Sequence, residues 1–150
     1  MGPGTDVGAI ARYYEETVRR LETEFPNLKI ITITAPLTTT PVGLKARIRE
    51  MRGKTLWSEE GNVERNMLND MLRERFGEAV FDLAAYEATR SSGEKAVFKE
   101  NGGTYPMLNP AYTDDGGHLN EAGRAAIAAE LLIFLADRSV PAASSDARRP

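Results

Sequence analysis

The chain contains no cysteine. Disulfides, thiolate zinc sites and a cysteine nucleophile are therefore excluded. Histidine occurs once, as His118, so imidazole chemistry near neutral pH falls to that one side chain. No apolar run approaches the roughly 20 residues that cross a bilayer, and no membrane span is expected. The N-terminal region lacks the basic-then-apolar form of a signal peptide. There is no excess of one charge: 19 basic residues stand against 22 acidic ones, for a net charge of −3. The basic residues are scattered, as at Arg12, Arg19, Lys45 and Arg73, so no nucleic-acid footprint is expected. Tryptophan occurs once, at Trp57, where packing is the simplest role.

What is present suits one domain with a core: 150 residues, 41% of them hydrophobic. Asp6 or Thr5 can cap a first helix, in which Val7, Ile10, Tyr14, Val18, Leu21 and Phe25 recur at helical spacing. Leu28 to Thr34 is rich in β-branched residues and reads as a buried strand, apolar on both sides. Ala35 to Pro41 reads as a solvated turn; the other reading is that its threonines line a pocket at the carboxyl edge of a sheet. Val42 to Arg52 reads as a short basic helix, broken at Gly53-Lys54. Asn62 to Phe76 predicts a long helix with Val63, Met67, Leu68, Met71, Leu72 and Phe76 inward and Gly77 just past its end. Val80 to Leu83 predicts a short strand, and Asp82 within it reads as structural. Ala96 to Tyr105 predicts a hairpin with Asn101-Gly102 in its bend. Gly123, Ile127, Leu131, Phe134 and Leu135 share one face of a last helix, and the segment 139–150 reads as a disordered tail.

The chemistry concentrates at Tyr112-Thr113-Asp114-Asp115-Gly116-Gly117-His118-Leu119-Asn120. A tight turn at the two glycines can fold the Asp115 carboxylate back toward the His118 ring. A carboxylate there fixes the tautomer and stabilises an imidazolium, leaving the other ring nitrogen to face a nucleophile. A plainer reading stands beside it: a loop that ends in a helix cap at Asn120 and carries a surface histidine.

The stretch from Tyr112 to Gly123 resembles the last conserved block of the SGNH hydrolases, or GDSL esterases. In that family an Asp-x-x-His-x-Asn stretch opens the C-terminal helix. The resemblance implies a three-layer α/β flavodoxin-like fold and a serine esterase. Asp115 would be the triad acid and His118 the general base, while Asp114 has no role. The substrate would be a small-molecule or carbohydrate ester, and neither a metal nor an organic cofactor is implied. The family's Gly-Asp-Ser block, its oxyanion Gly block and its Gly-x-Asn-Asp block have no match. None of Ser58, Ser91, Ser92, Ser139, Ser144 and Ser145 follows an apolar strand and opens a helix. The expectation is a partial domain over 1–138, lacking roughly the first two or three of about five βα units, and inactive alone. Its strand at Ile30 to Thr34 would then expose an unblunted edge, which invites self-association.

Two other classes remain open from the sequence. One is a non-catalytic module that keeps the SGNH-like fold. The other is a metal-dependent hydrolase built on Asp114, Asp115 and His118, which would need ligands from elsewhere.

Overall fold

The computed structural model describes residues 4–39 and 59–139. The basic helix read at Val42–Arg52, the break at Gly53-Lys54, Trp57 and the tail beyond Ser139 lie outside the described residues. The fold is mixed α/β. Its elements are α1 (Val7–Glu24), β1 (Thr32–Ile33), α2 (Glu59–Phe76), β2 (Val80–Phe81), α3 (Leu83–Ala88), β3 (Val97–Glu100), β4 (Gly103–Pro106) and α4 (Glu121–Ser139). β1 and β2 pair in parallel, with Thr32 opposite Val80 and Ile33 opposite Phe81. β3 and β4 form an antiparallel hairpin. No helix among the described residues is long and apolar enough to cross a membrane.

α1 starts where Asp6 Oδ1 accepts the Ala9 N–H, at 2.8 Å. Its buried side is Val7, Ala11 and Val18, so the stripe lies further toward Ala11 than the sequence pattern suggests. Ile10 and Phe25 face solvent instead. Val7 and Ala11 pack on Leu68 and Leu72 of α2, and Tyr14 meets Phe76 edge-on.

The expected strand at Leu28 to Thr34 shrinks to two residues. Its ladder ends because its partner does: Asp82 caps α3 directly after β2, accepting the Ala85 N–H, so only Thr34 N–H to Phe81 O extends the pairing. Nor is β1 apolar on both sides. Thr32, and Thr34 just past its end, are buried, and Ile33 is 48% exposed. Among the described residues, the ladder of β1 runs to β2 alone.

Asp82 is structural, tying three elements together. Arg73 donates from Nε and Nη2 to its two carboxylate oxygens, both at 2.7 Å, and Thr34 Oγ1 donates to Oδ1. Burial would raise the Asp82 carboxyl, but the Arg73 guanidinium outweighs it and holds the group below the usual carboxylate range.

α2 departs most from its pattern. It begins at Glu59, and Met67 points outward. Leu68 and Leu72 are buried as expected, but so are Asn62, Asn66 and Asn69. These amides do the work of a neighbouring strand. Asn69 Oδ1 accepts the Ala35 N–H at 2.6 Å, and its Nδ2 donates to Ala35 O at 2.9 Å. Asn62 makes the same pair of bonds with Thr38, both at 3.0 Å. Asn66 Nδ2 donates to Pro106 O and so reaches the hairpin. Residues 35–38 are therefore not a solvated turn: Leu37 and Thr38 are buried, with their backbone polar groups satisfied by side chains.

Glu87 of α3, 3% exposed, completes that segment by accepting the Leu37 N–H at 2.6 Å. Burial pushes its carboxyl up to about 7. At the hairpin bend Asn101 (φ 47°) and Gly102 (φ 80°) both take the left-handed conformation, as an Asn-Gly turn requires. The hairpin packs Ala96 and Phe98 with Met107 against Val63 of α2.

Two outcomes follow from these contacts. Asn69→Ala strips partners from the Ala35 N–H and C=O and should cost roughly 2–4 kcal/mol in urea unfolding. The exposed change Glu74→Ala should stay within about 0.5 kcal/mol. Glu87 holds its proton more tightly in the folded chain than its ordinary value of 4.5 would allow. Its stabilising contribution is therefore full below that value and lost as pH rises through about 7. That contribution is worth roughly 3 kcal/mol at about 1.4 kcal/mol per unit. Melting temperatures measured across this window should fall with pH in the wild-type chain and fall less in Glu87→Gln.

Candidate active site

The loop between β4 and α4 is built from short-range polar contacts. Asn109 Oδ1 accepts the Ala111 N–H and starts the 3-10 turn Pro110–Tyr112. Thr113 and Leu119 then face each other in an isolated antiparallel bridge, which pinches the loop shut. Between them the chain reverses at Gly116, whose φ of 94° suits glycine. Thr113 Oγ1 accepts the Gly116 N–H at 2.9 Å and donates to Asp115 Oδ1 at 3.3 Å.

This turn brings Asp115 and His118 together. Asp115 Oδ1 accepts the N–H groups of Gly117 and His118, at 2.9 and 2.8 Å. Its Oδ2 lies 2.6 Å from His118 Nδ1. The Gly117 N–H, then the His118 ring and N–H, hold the Asp115 carboxyl well below the usual carboxylate range. An ionised carboxylate only accepts, so the proton of this pair sits on Nδ1. In the neutral ring, Nε2 is then the basic nitrogen. Both side chains lie at the surface, His118 with 76% of its side chain accessible.

Asp114 turns elsewhere. Its Oδ1 accepts from Asn120 Nδ2 at 3.4 Å. No group of three or more His, Cys, Asp or Glu among the described residues could hold a metal ion. Among the described residues, the ligand set that a metal-dependent reading of Asp114, Asp115 and His118 would need is thus not assembled.

The loop is anchored at both ends. On one side the Thr39 N–H donates to Gly116 O at 2.9 Å, linking the exit of β1 to the turn itself. On the other, the Asn120 N–H donates to Tyr112 O at 2.8 Å, and Asn120 Nδ2 donates to Ala111 O. Asn120 also caps α4, accepting the Gly123 N–H at 3.0 Å. Gly123 is the contact point. A Cβ there would stand 2.8 Å from Tyr112 O and 2.9 Å from Tyr112 Cβ, so only glycine lets α4 lie this close.

The sequence pairs Asp115 with His118 and offers Thr39 only among the threonines of a pocket edge; it does not single out Asn62 or Glu87. The signal for Glu87 was its phase: it follows Ala84 by three residues and precedes Ala88, the two buried alanines of α3. The two serines fully described, Ser91 and Ser92, are exposed in the turn that Arg90 N–H closes onto Glu94 O. A shallow cleft lined by Glu78, Val80, Phe134, Asp137 and Arg138 lies at the start of β2 and does not include His118.

No family model, no curated protein and no solved structure matches this chain.

Gly123→Ala should force Tyr112 and α4 apart. It should lower the melting temperature by several degrees, as a change of about 1–3 kcal/mol does in a domain of this size. It should also weaken the downfield proton resonance of the His118 Nδ1–H···Asp115 bond, read by proton NMR at low temperature.

Proposed function

We propose that the chain supplies the acid–base half of an SGNH-type serine ester hydrolase. The observation that carries this is the 2.6 Å approach of Asp115 Oδ2 to His118 Nδ1, in a turn whose backbone N–H groups keep the carboxylate ionised. The parallel β1–β2 pair also supports it. Tyr14 of α1 reaches Thr32 on one side of the pair, and Phe134 of α4 covers Phe81 on the other, a layering compatible with a flavodoxin-like sheet.

In this reading His118 Nε2 takes the proton of a serine hydroxyl as its oxygen attacks the ester carbonyl. Asp115 stabilises the imidazolium. The imidazolium returns the proton to the leaving alcohol, and the acyl group stays on the serine. Water then repeats the sequence: Nε2 takes its proton, the acid forms, and serine regains its hydrogen. The substrate is a carboxylic ester, with an acetylated carbohydrate as the variant. The reaction calls on no cofactor. The serine and the oxyanion donors are assigned to residues other than these 150, since in the sequence none of the six serines follows an apolar strand pattern and opens a helix.

The chain alone should hydrolyse p-nitrophenyl acetate no faster than its His118→Ala variant. When coding sequence upstream of Met1 is included, a fluorophosphonate should label one serine, and His118→Ala should abolish the labelling. Asp115→Asn should slow turnover roughly 10,000-fold, and Asp114→Asn far less. A folded, extended protein that takes no label overturns the reading. So does label on a serine within residues 1–150.

A further inference from the structure

Among the described residues, Glu87 is the one Asp, Glu, Lys, Arg or His that is buried. The hydrolytic chemistry above does not use it. A carboxylate inside an apolar cluster is expensive unless its bonds do something. Here the carboxylate makes one bond and the main chain of the same residue makes another. Its Oε2 accepts the Leu37 N–H at 2.6 Å, and its backbone C=O accepts the Asn109 N–H at 2.9 Å. Both partners lead to the candidate loop. Two residues beyond Leu37, the Thr39 N–H holds Gly116 O. Three residues beyond Asn109 stands Tyr112, whose N–H returns to Asn109 O and whose C=O receives the Asn120 N–H, each at 2.8 Å. The turn that carries Asp115 and His118 is thus held at Gly116 and at Asn120, and both holds trace back to Glu87.

Resting on the hydrolase reading, we infer that Glu87 is a positioning residue for the Asp115–His118 pair, its carboxylate setting how firmly Leu37 to Thr39 holds Gly116. An ionised carboxylate accepts an N–H more strongly than a protonated one. The hold tightens when Glu87 loses its proton and slackens when it regains it. Burial favours the neutral form; the Leu37 N–H and the charge of Arg65 on α2 favour the ionised one. The segments 35–39 and 107–113, which meet α3, carry no Asp, Glu, Lys, Arg or His, and Tyr112 is their one titratable side chain. From the other side of the same cluster Leu119 and Ala126 pack against it as partly buried apolar residues. The balance falls at about 7, so the coupling operates around neutral pH.

The test uses the full chain with His118→Gln, which removes the imidazole titration. Amide NMR from about pH 5 to about pH 9 spans the transition. The Leu37, Thr39 and Gly116 amides should share one inflection, and its midpoint should coincide with that of the Glu87 carboxyl carbon. Adding Glu87→Gln should remove the shared inflection. The inference is overturned if Leu37 moves alone, if Thr39 and Gly116 titrate at a midpoint other than that of the carboxyl carbon, or if the inflection survives Glu87→Gln. Comparing midpoints does not require the Gln variant to fold. Neither readout involves turnover. Failure of fluorophosphonate labelling would sink the hydrolase reading and leave this coupling standing, and a missing inflection would do the reverse.

Discussion

Asn62 and Asn69 take the place of a strand. Past Ile33 the chain leaves its ladder with β2 and runs through the interior, where every backbone N–H and C=O needs a partner. Two side-chain amides, each offering one acceptor and one donor, satisfy Ala35 and Thr38 in the same paired geometry that a neighbouring backbone would give. Glu87 satisfies Leu37 between them. The consequence is positional. Because these residues are bonded to α2 and α3 rather than to water, Thr38 O can receive the Leu108 N–H and the Thr39 N–H can reach Gly116 O. The polar loop at the surface is thereby attached to the buried polar groups beneath it.

The loop itself depends on one carboxylate. Asp115 accepts from the Gly117 N–H, the His118 N–H and the Thr113 hydroxyl at Oδ1, and faces His118 Nδ1 with Oδ2. Removing the charge would loosen the turn and the ring together, because the same group organises both. This arrangement explains why two exposed side chains hold a defined geometry. Exposed ion pairs are weak when each partner must be ordered separately; here the backbone bonds order Asp115 before the ring arrives.

The parts of this structure legible in the sequence are the local ones. The Asp115-Gly-Gly-His118 turn, the Asn120 cap, the Asn101-Gly102 bend and the stop at Gly77 all close within a few residues, so residue type and spacing determine them. The asparagine face was not legible. Asn62, Asn66 and Asn69 recur at helical spacing, but asparagine in a helix ordinarily marks the wet side, and their burial here is decided by partners 24 to 40 residues away in sequence. The length of β1 was hidden for a similar reason. Leu28 to Thr34 has the composition of a longer strand, but its partner gives way to a capped helix at Asp82, and a strand extends only as far as its neighbour. Glu87 was masked by its charge, although its place between Ala84 and Ala88 put it on the inner side of α3.

The parallel pairing of β1 with β2 also bears on how the chain folds. The hairpin and the three longer helices close over short separations and form early. The bonds from Thr34 to Asp82 and from Leu37 to Glu87 join residues 48 and 50 apart, and carry the larger entropy of loop closure. Asn62 and Thr38, 24 apart, lie between these extremes. On these separations α2 is assembled before the segment it secures, and it presents its amides as a template on which residues 34–38 settle. The attachment of Gly116 to Thr39, 77 positions apart by their numbering, comes later still. By the same loop-closure argument, the Asp115–His118 turn, being local, is expected to take shape independently and to dock onto the interior late.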